Sequence, residues 1–150
     1  MISITKITYA ELEANSDFDA LVTEYGKESC IEGMPEHNRD SAMYNTFEEA
    51  GVFQAFGAYD NDTLIGFIVV LVSNNPHYGK VIGTIESFFV SKAKRKTGAG
   101  LKLLRISEIF CKESGAVGLF LSAPVESQLA KTMEKLSPYK ETNRVFFRSL

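Results

Sequence analysis

Val90-Ser91-Lys92-Ala93-Lys94-Arg95-Lys96-Thr97-Gly98-Ala99-Gly100-Leu101 is the stretch on which the fold turns. Apolar and β-branched residues stop at Val90, and a helical pattern opens near Gly98. Between them stand Lys92, Lys94, Arg95 and Lys96, with no acid in the run. A helix start carries roughly half a positive charge and ordinarily attracts acids, so this crowd of cations is unfavourable unless an anion joins it. Free backbone N–H groups, the helix dipole and the cations then all favour one ligand. Gly98 and Gly100 have no Cβ, which lets a large anion reach the backbone. A solvated basic turn is the plainer alternative. The glycine spacing and the strand-turn-helix setting favour a phosphate-type site.

The neighbouring segments supply the frame. Val81–Val90 reads as the strand that feeds the basic stretch. Leu64–Val72 is a continuous apolar run, as expected of a central strand covered on both faces. With Val52–Tyr59 and the turn Asp60-Asn61-Asp62 it reads as an antiparallel hairpin. Downstream, Leu101, Leu103, Leu104, Ile106, Ile109, Phe110 and Cys111 give a broad apolar helix surface that ends at Gly115. Val117–Leu121 then reads as a strand, and strand, helix, strand implies a crossover between parallel neighbours. A last helix is expected over Ser127–Leu136 and a last strand over Asn143–Ser149. Towards the N-terminus, Ile2, Ile4 and Ile7 read as a first strand. A helix capped by Ser16 carries Phe18, Leu21, Val22 and Tyr25 and stops at Gly26; another spans about Arg39–Ala50. The order β α α β β β α β α β suits one α/β domain over residues 1–150, a mixed sheet with helices on both faces.

Composition narrows the function. The chain has 150 residues, 45% hydrophobic and 23% charged, with a net charge of −3. A general nucleic-acid binder would be basic overall, so nucleic acid is not the expected partner. Lys102 and Arg105 extend the local cluster, a pattern that suits a compact polyanion. Cys30 and Cys111 show no metal-ligand spacing, and no metal site is expected. The N-terminus shows no signal-peptide core, and no apolar run is long enough to cross a bilayer as a helix. A cytoplasmic protein is the default.

Arg95-Lys96-Thr97-Gly98-Ala99-Gly100, with Val90 ahead of it, resembles the Arg/Gln-x-x-Gly-x-Gly/Ala motif of the GNAT acyl-CoA N-acyltransferases. The order of elements is similar along nearly the whole chain. The resemblance implies the GNAT fold, a mostly antiparallel mixed sheet with one splayed parallel pair. It implies acetyl-CoA as donor, its pyrophosphate held by backbone amides of Lys96, Thr97, Gly98, Ala99 and Gly100, with Arg95 and Leu101 flanking. It also implies a β-bulge in strand 81–90 that splays it from the strand near 117–123. N–H groups around Phe88, Phe89 and Val90 would then face the acyl group or pantetheine arm, and could stabilise the oxygen that turns negative during attack on a thioester.

Acyl transfer to an amine needs that amine neutral, although an alkyl ammonium has a pKa near 10. Glu86, four residues before Val90 and flanked by Ile85, Phe88 and Phe89, is the candidate base; partial burial would suit that role. A solvated or lysine-paired strand residue is the plainer reading. Many family members carry a Tyr in the last helix as acid. Here Met133 stands in its place and Ser137-Pro138 replaces Gly-Phe, so Met133 reads as core and Tyr139 is the nearest candidate acid. His37 and His77 lie in loops that could rim an acceptor cleft and read as solvated. These readings lead to an acetyl-CoA-dependent N-acetyltransferase acting on an amine of a small molecule or a protein, with no membrane partner and a homodimer left open. The alternative is an acyl-CoA-binding or interaction protein on the same fold with little or no catalysis. A nucleotide module is disfavoured, since no P-loop Gly-Lys-Ser/Thr is present.

Overall fold

The computed structural model describes residues 1–150. Its elements are β1 (Ile2–Ile7), α1 (Tyr9–Ala14), α2 (Phe18–Ser29), α3 (Ser41–Glu49), β2 (Phe53–Asp60), β3 (Thr63–Asn75), β4 (Lys80–Val90), α4 (Ala99–Glu113), β5 (Leu119–Phe120) and α5 (Gln128–Met133), with a 3-10 turn at Lys92–Thr97 between β4 and α4. The sheet runs β1-β2-β3-β4-β5, antiparallel except for the parallel pair β4–β5. No helix is long and apolar enough to cross a membrane.

β3 is central, as its unbroken apolar run implies, because both faces are covered. Phe67 and Val69 join Tyr9, Leu12, Phe18 and Leu21 of the first two helices in one core cluster. Ile68, Val70 and Val72 join Leu103 and Cys111 of α4 in another, on the opposite face. Period-two alternation of a strand produces this division. Cys111 is a buried free thiol. It packs so close to β4 that a Cβ on Gly83 would lie 2.5 Å from its sulfur.

The structure alters the expected elements in several places. α1 was not foreseen, although Thr8 and Glu11 form a capping box: Glu11 N–H donates to Thr8 Oγ1 at 3.1 Å and Thr8 N–H donates to Glu11 Oε2 at 2.8 Å. α2 starts at Phe18 without a side-chain cap from Ser16 and continues through Gly26 to Ser29. A glycine inside a helix costs only about 1 kcal/mol, which the packing of Phe18 and Leu21 outweighs. α3 is capped by Asp40, whose Oδ1 accepts from Met43 N–H. β5 shrinks to two residues and α5 ends at Met133. No strand forms over Asn143–Ser149; Val145 and Phe146 are exposed. β5 is too short to offer that segment a ladder, and the tail passes instead beside Gly33, where a Cβ would lie 3.3 Å from Ser149 Cβ.

Candidate functional site

Two features of β4 create the site. The first is a bulge. Val69 pairs with Ser87 but Val70 pairs with Ile85, so Glu86 is the extra residue. An inserted residue reverses the facing of everything beyond it. Ile85 accordingly packs on the α4 side, while Phe89, an even step away, packs with the α1–α2 cluster. The second is early divergence from β5. The pair meets only at Gly83–Leu119 and Thr84–Phe120, leaving the outer edge of Ile85–Val90 without a strand partner. Ser91 N–H donates to Ile65 O across the β3 side. Hydrogen bonding alternates along an antiparallel strand, so Phe89 N–H also faces β3, and Phe88 and Val90 N–H face the open edge. This sharpens the expectation for Phe88, Phe89 and Val90: two of the three present donors outward. Val90 O faces the same way and accepts from Arg95 Nε at 3.1 Å.

A small cavity of about 50 Å³ opens along that edge, lined by Tyr25, Ser29, Glu86, Phe88, Ser122 and Leu129 among others. A larger one of about 390 Å³ lies on the α1–α3 side, with Tyr9, Phe18, Tyr25, Tyr44, Phe67 and Glu86 in its wall. Tyr25, Glu86 and Ser87 line both. The bulge therefore sits at the junction of the two spaces.

Glu86 is exposed to this open cleft, contrary to the partial burial expected of it, because the bulge turns it out of the sheet. It has one protein partner: Tyr44 Oη donates to its Oε1 at 2.6 Å. The Tyr44 hydroxyl is held far above its ordinary pKa by burial and then by the hydrogen bond and charge of Glu86, so it stays protonated. Tyr9 stacks on Tyr44 with ring centroids 4.2 Å apart. Burial, followed by the charge of Glu13, pushes the Tyr9 hydroxyl up to about 12. Tyr25 is raised too, by burial first and the charge of Glu86 second, with the Ser29 side chain opposing. The aromatic cluster was missed in the sequence, since Tyr9, Tyr25 and Tyr44 lie on three different helices.

The basic turn also differs from expectation. Lys94 Nζ pairs with Asp60 at 2.9 Å and Arg95 Nη2 with Glu28 at 2.6 Å, while the Arg95 guanidinium lies over the Phe89 ring, 5.3 Å from its centroid. Glu24 accepts from Ser91 Oγ and Lys92 N–H, each at 3.1 Å. Acids from α2 and β2 thus supply what the stretch itself lacks, and these contacts shape the turn. Lys92 and Lys96 form no ion pair. Gly98 has φ +83°, the left-handed backbone that favours glycine. No side chain caps α4 at Gly98; the nearest substitute is a long 3.4 Å bond from Ala99 N–H to Thr97 Oγ1. An uncapped helix start beside two unpaired lysines, with open space where a Gly98 Cβ would stand, fits a pyrophosphate. The splayed edge fits the arm of coenzyme A.

Tyr139 lines neither cavity. Its hydroxyl donates to Glu108 Oε1 on α4 at 2.6 Å, and burial with that hydrogen bond holds its pKa above the ordinary value. Met133, expected in the core, is only half-buried, because the short α5 buries none of its residues, and it brings no polar group to the junction. His37 lines the larger cavity, whereas His77 meets the Tyr78 ring edge-on in the β3–β4 turn, away from it. No cluster of potential metal ligands is present.

The Acetyltransferase (GNAT) family model matches residues 18–132. No curated protein matches the sequence significantly. Among solved structures, the chain resembles the ribosomal-protein-alanine N-acetyltransferase from Brucella melitensis biovar Abortus 2308, with 18% identity, 99% of each chain covered and a TM-score of 0.72. It resembles AAC(6')-Iy in complex with a CoA-S-monomethyl-acetylneamine bisubstrate analog, with 18% identity, 99% of this chain and 97% of that one covered and a TM-score of 0.75. It also resembles glucosamine-6-phosphate N-acetyltransferase from Arabidopsis thaliana, with 14% identity, 99% of each chain covered and a TM-score of 0.69. At such identities these likenesses establish the fold.

Proposed function

Because the chain belongs to the GNAT acetyltransferase family, whose donor is acetyl-CoA, we propose that it transfers an acetyl group to a primary amine held in the larger cavity, in a ternary complex. The observation that carries this reading is Glu86, which stands on the bulge where the edge cavity and the larger cavity meet. Bound acetyl-CoA supplies an activated thioester, whose C–S bond is exchanged for the new C–N bond with release of the thiol. Lys92, Lys96 and the backbone from Lys96 to Leu101 would hold its pyrophosphate. Arg95 acts through the turn it pins to Glu28.

Glu86 takes the proton from the acceptor ammonium, directly or through one water. Tyr44 holds Oε1 in place and leaves Oε2 free for that work. Phe88 and Val90 N–H groups offer hydrogen bonds to a carbonyl oxygen as it gains charge. A proton for the departing sulfur is better supplied by Tyr25, which lines both cavities, than by Tyr139, which is occupied by Glu108.

The alternative, an acyl-CoA-binding protein with little catalysis, draws on Met133 and on Tyr139 lining neither cavity. One experiment separates the two: coenzyme A binding by calorimetry alongside thiol release from acetyl-CoA over a broad amine panel. The transferase reading requires amine-dependent release in the parent protein and a loss of about 100-fold or more in Glu86→Gln. Coenzyme A binding with no amine ever accelerating release would leave the binding protein as the answer.

A further inference from the structure

We infer that the acceptor is a monoamine carried on an aromatic or bulky apolar arm, rather than a polyamine or an amino sugar with several ammonium groups; this rests on the transferase reading above. The wall of the larger cavity is built of ring faces and apolar side chains. Tyr9 and Tyr44 stack at 4.2 Å with 21° between planes, and Phe18, Tyr25, Phe47 and Phe67 continue the surface. Its charged groups are few, and most are engaged elsewhere. Asp40 Oδ1 caps α3 by accepting from Met43 N–H. Arg39 pairs with Glu13 at 3.7 Å and Asp19 at 3.3 Å and lies over the Phe18 ring at 5.0 Å. Glu86 is the lining carboxylate with neither an ion pair nor a capping bond to a backbone amide.

This arrangement satisfies one ammonium. Glu86 provides its counter-charge, and tyrosine faces beside Glu86 attract a cation through their quadrupoles. A second ammonium on the same substrate would find only Asp40, already capping α3, as a further lining carboxylate and would face repulsion from Arg39, and burying a charge without a free counter-ion is costly. The carbon arm of an aromatic amine meets the opposite conditions, since the rings around it gain from edge and stacked contacts. The cavity volume of about 390 Å³ is that of a small-molecule pocket.

The test uses the full chain with acetyl-CoA, thiol release as readout, and 2-phenylethylamine, hexylamine, spermidine and neamine as acceptors. The expected result is a kcat/KM for 2-phenylethylamine about tenfold or more above those for spermidine and neamine. Equal or higher values for either polycation overturn the assignment while leaving the transferase standing. No release with any amine, in a protein that binds coenzyme A, removes the transferase reading and the assignment with it. A second arm uses Phe47→Asp, at the partly exposed rim of the cavity. It should shift the spermidine to 2-phenylethylamine ratio upward by about fivefold or more. An unchanged ratio in a folded variant would show that this wall does not choose the substrate.

Discussion

Gly66→Ala tests whether the end of β4 positions the reaction. Gly66 lies opposite Val90 in the β3–β4 ladder. A Cβ at Gly66 would stand 2.7 Å from Phe89 O, 3.0 Å from Val90 Cγ2 and 3.1 Å from Val90 Cα. Two of these atoms are backbone, so a rotamer change cannot relieve the clash. Reaching ordinary contact at 3.4 Å requires a shift of about 0.7 Å in the segment that presents Phe88 and Val90 N–H to the open edge. Overpacking of this kind costs about 1–3 kcal/mol, a fall of roughly 3–10 °C in Tm for a chain of this size. Misplacing a reacting geometry by ~1 Å can cost about 100-fold, so kcat should fall roughly 10- to 100-fold while coenzyme A still binds at its pyrophosphate end. The assay is thiol release measured well below the variant's Tm, beside calorimetry with coenzyme A. A lowered Tm with unchanged kcat would refute the positioning role of this strand end. An unchanged Tm would refute the close approach of β3 and β4 at Gly66.

Two further outcomes follow from contacts outside the cavities. Glu24→Ala removes the carboxylate that accepts from Ser91 Oγ and Lys92 N–H; coenzyme A should bind about 3- to 10-fold more weakly because the turn loosens, at a stability cost of about 1 kcal/mol, and tighter binding on calorimetry would instead mark Glu24 as a mere repulsive charge beside the anion. Tyr9 carries a hydroxyl raised from 10.0 to about 12, so its neutral form is favoured by folding. That contribution is fully present below pH 10 and is lost as pH rises through about 12; urea midpoints should therefore fall across that window in the parent and fall less steeply in Tyr9→Phe, and parallel curves would sink the assignment.

Local patterns made much of this fold legible. The unbroken apolar run of β3 announced a strand covered on both faces, and the motif from Arg95 to Gly100 announced a strand-turn-helix junction, because each signal lies within one segment. The bulge was implied by family resemblance; its placement at Glu86 emerged from the register against Val69 and Val70. Pairings at long range stayed hidden. Glu28 with Arg95, Glu24 with Lys92 and Tyr44 with Glu86 join residues 42 or more positions apart, and no periodicity encodes them. The expected strand at Asn143–Ser149 had a β-type composition, but a strand also needs an edge to pair with, and β5 offers two residues. The α1 capping box, Thr8 to Glu11, is present in the sequence, but a six-residue helix is too short to show an apolar period beside it.

α2 gives these long-range pairings a common logic. Successive residues on a helix point about 100° apart, and residues four apart share a face. Glu24 and Glu28 form one such pair, and both reach the basic turn. Tyr25 and Ser29 form the next pair, and both line the edge cavity. Val22 and Tyr25, three apart, line the larger cavity. One helix therefore touches the proposed pyrophosphate cradle, the splayed edge and the acceptor space with adjacent faces. Its acids offset cations that would otherwise repel one another at the start of α4, and its aromatic face meets Phe67 and Phe89 on the sheet with ring centroids 6.0 and 5.7 Å from Tyr25. The local excess of positive charge in the opening stretch is thus offset by Glu28 of α2 and by Asp60 of β2, both distant in sequence, which leaves Lys92 and Lys96 as the cations of that stretch available to a ligand.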